Sequence, residues 1–148
     1  MEFYHWVMIS ERMFRIYRSH CAKYCKKMHL NQTAFELIVF LGNNPEYNTA
    51  KEICEYRGLK KSMVSITIDQ LVEKGYMIRE TDQRDRRIQH LFLTDKSAPT
   101  VKMGKEGQSE IFGSLTTEIS REELTSAEVV LYKIERRIAE IEKVEGLV

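Results

Sequence analysis

The chain has 148 residues, 43% of them apolar and 30% charged, with two prolines and seven glycines. That mixture excludes a long disordered or collagen-like chain and fits one globular domain or two small lobes. The formal net charge is +1, so overall charge gives no attraction for a polyanion, and any nucleic-acid case must rest on local charge.

Residues 3–28 carry Phe3, Trp6, Val7, Met13, Ile16, Tyr17, Cys21, Tyr24 and Met28 at three- and four-residue steps, which predicts a long helix. Glu2, Glu11, Arg12 and Arg15 break this stretch, so it lacks the order of a secretory signal. No window reaches the roughly 18 uncharged apolar residues of a membrane span. Three cysteines without framework spacing fit reduced thiols, and the expected location is cytoplasmic. The aromatic stripe is too long for one small domain to cover and suggests a partner chain.

A second helix is expected near Thr33, with Thr33 and Glu36 as a capping box and Phe35, Ile38, Val39 and Leu41 behind it. Gly42-Asn43-Asn44-Pro45 ends it. A short third helix follows from the capping box Thr49–Glu52, with Ala50, Ile53 and Cys54 inward, and Gly58 closes it. A fourth runs from about Lys61 to Lys74 on the buried stripe Val64, Ile68, Leu71 and Val72. The period then changes. Met77–Glu80 and Ile88–Leu93 read as strands flanking the charged loop 81–87. Helices return from about Asp95 to Ile119 and from about Ser126 to Lys143, the latter with an apolar stripe that needs a partner.

A short helix, a glycine turn, a longer helix and a charged hairpin, in that order, are the plan of a winged helix-turn-helix. Between Arg57 and His90 stand eight basic residues (57, 60, 61, 74, 79, 84, 86, 87) and five acidic ones (69, 73, 80, 82, 85), an excess of three against +1 for the whole chain. Lys60 and Lys61 sit at a helix start, where cations oppose the macrodipole at about 0.3–1 kcal/mol. A phosphate docking there would account for them, and so would simple solvation. The face opposite the buried stripe carries Lys61, Ser62, Ser65, Ile66 and Asp69. Small hydroxyls allow close approach to phosphates and base edges. Ile66 fits contact with a thymine methyl, and equally packing on the wing or plain exposure.

The stretch Lys61-Ser62-Met63-Val64-Ser65, then Leu71, Gly75, Asp82-Gln83-Arg84-Asp85-Arg86-Arg87 and Leu91-Phe92-Leu93-Thr94, resembles the MarR family of bacterial regulators. The motif match covers about residues 49–95. The resemblance implies a mainly α fold: a winged helix-turn-helix with a two-stranded β-wing, and N- and C-terminal helices that interlock two chains. Residues 31–95 would form the DNA-binding lobe, and 1–30 with 96–148 the dimerisation region. The implied function is a sequence-specific, double-stranded DNA-binding regulator, a repressor acting as a homodimer on a pseudo-palindrome. Ser62 and Ser65 would enter the major groove, with Lys60, Lys61, Met63 and Ile66 around them. Arg86 would reach the minor groove, with Arg84 near the backbone. Asp82, Asp85 and Arg87 would brace the wing. A small aromatic effector, or cysteine oxidation, would release the DNA. Ile66 departs from the arginine of many relatives, and Ser97 stands where glycine is common.

Three further readings stay open. Cys21, Cys25 and His29, at four-residue steps, have the donor types for zinc or for oxidant sensing, but core cysteines and a histidine beyond the helix end explain them as well. Cys54 reads as core. Tyr4, Trp6, Tyr17, His20 and Tyr24 suit an aromatic ligand cleft or a dimer core. A winged helix that binds protein instead of DNA is the remaining alternative. No phosphate-cradling glycine loop and no His-Glu-x-x-His motif occurs, so no enzyme, catalytic residue, cofactor or metal is expected.

Overall fold

A computed structural model describes residues 2–146. In chain order it contains α1 (Phe3–Met28), α2 (Gln32–Asn43), α3 (Ala50–Arg57), α4 (Lys61–Glu73), β1 (Met77–Thr81), β2 (Gln89–Leu93), a 3-10 turn (Asp95–Ser97), α5 (Ala98–Leu115) and α6 (Arg121–Glu145). The mainly α class with a two-stranded antiparallel wing is as expected. The described residues form two compact units, one up to Ile111 and one from Phe112.

The first unit is built around α2. Every residue from Ala34 to Val39 is buried, so this helix is covered on all sides and not along one stripe. Phe35, Leu37 and Ile38 pack with Cys21 of α1, Ile53 of α3, Val64, Ile68 and Leu71 of α4, and Met77 and Leu91 of the wing. Burying such apolar side chains contributes about 1.5–3 kcal/mol each. On α5, Gly104 lies against Val39 so closely that an added Cβ would overlap the valine methyls. Ser97 is fully buried and its Oγ donates to the Tyr76 carbonyl, so a serine serves well there.

Full burial of α2 leaves one charge to be satisfied. Glu36 is 2% exposed. Its Oε1 accepts from Gln32 Nε2 at 2.7 Å and Arg18 Nε at 3.1 Å, and its Oε2 from Arg57 Nη2 at 2.7 Å. Arg57 in turn lies over the Phe14 ring, 5.1 Å from its centroid. One buried carboxylate thus ties α1, α2 and the end of α3 together.

This corrects the expected start of α2. Glu36 is committed to two arginines, and Thr33 lies inside the helix. The cap is Asn31, whose side chain accepts from the Ala34 N–H at 2.8 Å. A second correction concerns the C-terminal helices. Ser120 and Glu123 form a capping box that starts α6 at Arg121, ahead of the expected Ser126. α5 ends at Leu115, where the Thr116 and Thr117 hydroxyls bond back to the carbonyls of Phe112 and Gly113.

Large apolar side chains remain uncovered on α1 (Phe3, Tyr4, Trp6, Phe14) and on α6 (Val129, Leu131, Tyr132, Ile138). No described residue of α6 is buried. No helix among the described residues is long and apolar enough to cross a membrane.

Candidate nucleic-acid interface

The turn between α3 and α4 sets the geometry. Thr49 and Glu52 form the expected capping box at the start of α3. Gly58, at φ 60°, reverses the chain, and its N–H bonds to the Cys54 carbonyl. The α4 helix then begins at an exposed Lys60 that offers no side-chain cap, and its first turn holds no acidic residue. Its first N–H groups and Lys60 and Lys61 therefore face solvent together, an arrangement suited to an anion.

Val64, Thr67, Ile68 and Leu71 fix the buried side of α4, the Thr67 hydroxyl bonding back to the Met63 carbonyl at 2.8 Å. Lys61, Ser62, Met63, Ser65, Ile66 and Asp69 are all exposed, which brings the sequence-predicted residues onto one surface. Ile66 is 59% exposed and Met63 44%, so Ile66 is not packed on the wing. Asp69 is ion-paired with Arg79 of β1, and this fastens α4 to the wing.

The wing pairs Met77 with Leu93 through Thr81 with Gln89. At its tip Asp82 Oδ1 accepts from the N–H groups of Arg84 and Asp85, at 2.8 Å each. These bonds, with a contact from His90, hold the Asp82 carboxyl below the usual range. Asp85 receives Arg87 in a two-toothed pair, Nε and Nη2 at 3.0 Å each, which lowers the Asp85 pKa and raises that of Arg87. Arg84 and Arg86 project into solvent. Among the described residues no ion pair engages Arg86.

Sequence reasoning missed two contributors. His90 lies between Asp82 Oδ2 (3.2 Å) and Asn48 Oδ1 (2.7 Å), and the Leu91 N–H donates to the Asn48 carbonyl at 2.8 Å. The wing is thereby anchored to the segment that enters α3. Nothing in local periodicity marks Asn48 and His90 as neighbours. The start of α2 is the second. Asn31, Gln32 and Thr33 form one wall of a groove whose other wall is Lys60, Ser62, Met63 and Ile66.

The other candidates separate. Cys21 and Cys25 are core residues, and burial pushes both thiols up, Cys25 to about 11. His29 is the exposed left-handed cap of α1, at φ 54°. Among the described residues no three His, Cys, Asp or Glu side chains cluster as a metal would need. Cys54 is only partly buried. The five aromatic-face residues of α1 also divide. Tyr4 and Trp6 are exposed. Tyr17 and Tyr24 pack on the core, and Tyr24 stacks on Phe35. His20, Lys23 and Tyr24 converge on Glu110 Oε2 of α5 at 2.8, 3.1 and 3.0 Å.

The fold and this surface define a winged helix-turn-helix protein. Residues 30–88 match the sequence model of the MarR family. Solved structures are similar along nearly the whole chain. One is a MarR family transcriptional regulator from Listeria monocytogenes complexed with 26mer DNA: TM-score 0.76, 15% identity, 95% of this chain and 94% of that one covered. Another is a MarR protein from Peptoclostridium difficile: TM-score 0.73, 21% identity, 93% and 90% covered. A third is the S. aureus MepR–DNA complex: TM-score 0.64, 18% identity, 93% and 96% covered. At these identities the whole-chain likeness is one of fold, the fold of MarR transcriptional regulators.

Proposed function

We propose that the protein is a sequence-specific regulator of transcription that binds double-stranded DNA as a homodimer and represses from a pseudo-palindromic operator. The observation that carries this is a single exposed surface: the uncapped, dilysine start of α4, its serine-bearing face, and a wing tip that presents Arg86 unpaired. The α4 helix has the dimensions to enter a major groove with Ser62 and Ser65 at base edges. Lys60, Lys61 and Arg84 take phosphates. Arg86 enters the minor groove, where negative potential concentrates, and Asp82, Asp85 and Arg87 set its direction. Residues 31–95 are the DNA-binding lobe. The uncovered apolar faces of α1 and α6 support dimerisation through 1–30 and 96–148. A small aromatic effector binding near the dimerisation helices is the proposed means of release, and the cytoplasm the proposed location.

The test is Arg86→Ala. Affinity for duplexes recovered from a fragment library should fall at least tenfold, with the melting temperature unchanged because the exposed side chain makes no hydrogen bond or ion pair among the described residues. Equal affinity in the variant would remove the wing from the interface. Failure to recover any duplex would leave a protein-binding winged helix as the better reading.

A further inference from the structure

The centre of the proposed reading face is apolar, which is an unusual choice for a surface that must discriminate base edges. Ile66 follows Ser62 by one helical turn and precedes Asp69 by nearly one, so these three form the middle stripe of the exposed face of α4. Ile66 is 59% exposed, and Met63, one step around the helix, is 44% exposed. No arginine or asparagine stands on this helix. The one acid at the level of the stripe, Asp69, is engaged by Arg79. Ser62 and Ser65 hydroxyls both donate and accept, so they position a base edge without choosing it. Gln70, an amide able to read adenine, lies a full turn beyond Ile66, away from the N-terminal end that such helices insert.

Resting on the proposed duplex binding, we infer that Ile66, with Met63 beside it, reads the C5-methyl group of thymine, and that this contact sets the base preference of each half-site. An aliphatic side chain has no hydrogen bond to offer. Of the four major-groove edges only thymine presents a methyl group. Opposite any other base, Ile66 would strip water from a donor or acceptor and leave it unpaired. Discrimination therefore has an attractive part and a larger repulsive part. Isoleucine is suited to it, because its branched Cβ holds essentially one rotamer in a helix and keeps its methyl groups in fixed positions.

The experiment uses the full chain. Duplexes are selected from a randomised pool at fixed salt, and each thymine of the selected half-site is then replaced by deoxyuridine, which removes only the methyl group. At one thymine per half-site the replacement should weaken binding roughly three- to tenfold, the effect of uncovering about one buried methyl. Placing 5-methylcytosine for cytosine at that position should recover part of the lost affinity. Ile66→Ala, an exposed substitution to a better helix former, should weaken the thymine duplex by a similar factor and make thymine and deoxyuridine duplexes equivalent. If the wild type binds every deoxyuridine duplex as tightly as its thymine parent, the methyl readout is wrong while duplex binding stands. If the dT-to-dU loss persists unchanged in Ile66→Ala, another residue reads the methyl. If no duplex is enriched, the proposed function falls and this inference with it.

Discussion

Replacing Glu36 by alanine removes the only acceptor that, among the described residues, holds the Arg57 guanidinium. The Glu36 side chain is 1% exposed, that of Arg57 15% and that of Arg18 51%. Arg18 regains water when its partner goes, so its share is about 0–1 kcal/mol. Arg57 does not. Its Nε already lacks a partner among the described residues, and losing the Nη2 bond leaves a largely buried guanidinium uncompensated. Breaking a buried pair on one side costs about 3–5 kcal/mol, against a total stability on the order of 5–15 kcal/mol. Glu36→Ala should therefore lose roughly a fifth or more of the folding free energy in urea unfolding at fixed protein concentration, with the slope unchanged. Replacing Glu36 and Arg57 together by methionine should cost far less, because no buried unpaired charge remains and the exposed Arg18 is hydrated. A single variant within about 1 kcal/mol of the wild type, or a double variant as damaged as the single, would refute the reasoning. Arg57 ends α3 beside the Gly58 turn, so this ion pair also positions the start of α4.

Two further outcomes follow from the local electrostatics. Asp82 and Asp85 have lowered pKa values in the folded wing. Their bracing is thus fully present above the ordinary carboxylate range, near pH 4, and is lost only as pH falls through the lower folded values. The amide resonances of Arg84 and Asp85 should report loss of the carboxylate bonds only in a transition with a midpoint below about pH 4; loss of those bonds with a midpoint above it, in a variant with His90 replaced by glutamine, would remove the carboxylates as the brace. Burial raises the pKa of all three thiols, but Cys21 and Cys25 are buried and Cys54 only partly so, so a thiol reagent at neutral pH should label Cys54 first and the other two only on unfolding. Rapid labelling of Cys25 in the native protein would revive oxidant sensing there.

The helix-turn-helix and wing were legible because their signals are local. The Thr49–Glu52 box, the glycine at 58 and the change of period after Gly75 each act within a few residues. The same holds for the Asp85–Arg87 pair, two residues apart. What escaped depends on distant packing. Thr33 and Glu36 have capping-box spacing, yet burial of Glu36 with Arg18 and Arg57 outweighs a cap of about 1 kcal/mol, and Asn31 takes the cap instead. Asn48 and His90 meet only because the wing folds back on the entry to α3. The start of α6 is marked locally by Ser120 and Glu123 at capping-box spacing, a signal that the apolar stripe from about Ser126 does not contain.

Duplex binding as proposed requires that the dilysine start of α4 and Arg84 of the wing meet duplex phosphates. The most direct measurement is the affinity of the full chain for a selected duplex as salt rises. Three phosphate-binding cations per protomer (Lys60, Lys61, Arg84), doubled in a homodimer, predict a log–log slope of about −5 through counterion release. Replacing Lys60 and Lys61 by alanine should make that slope shallower. A flat salt dependence, or a slope unchanged without the lysines, would contradict the account.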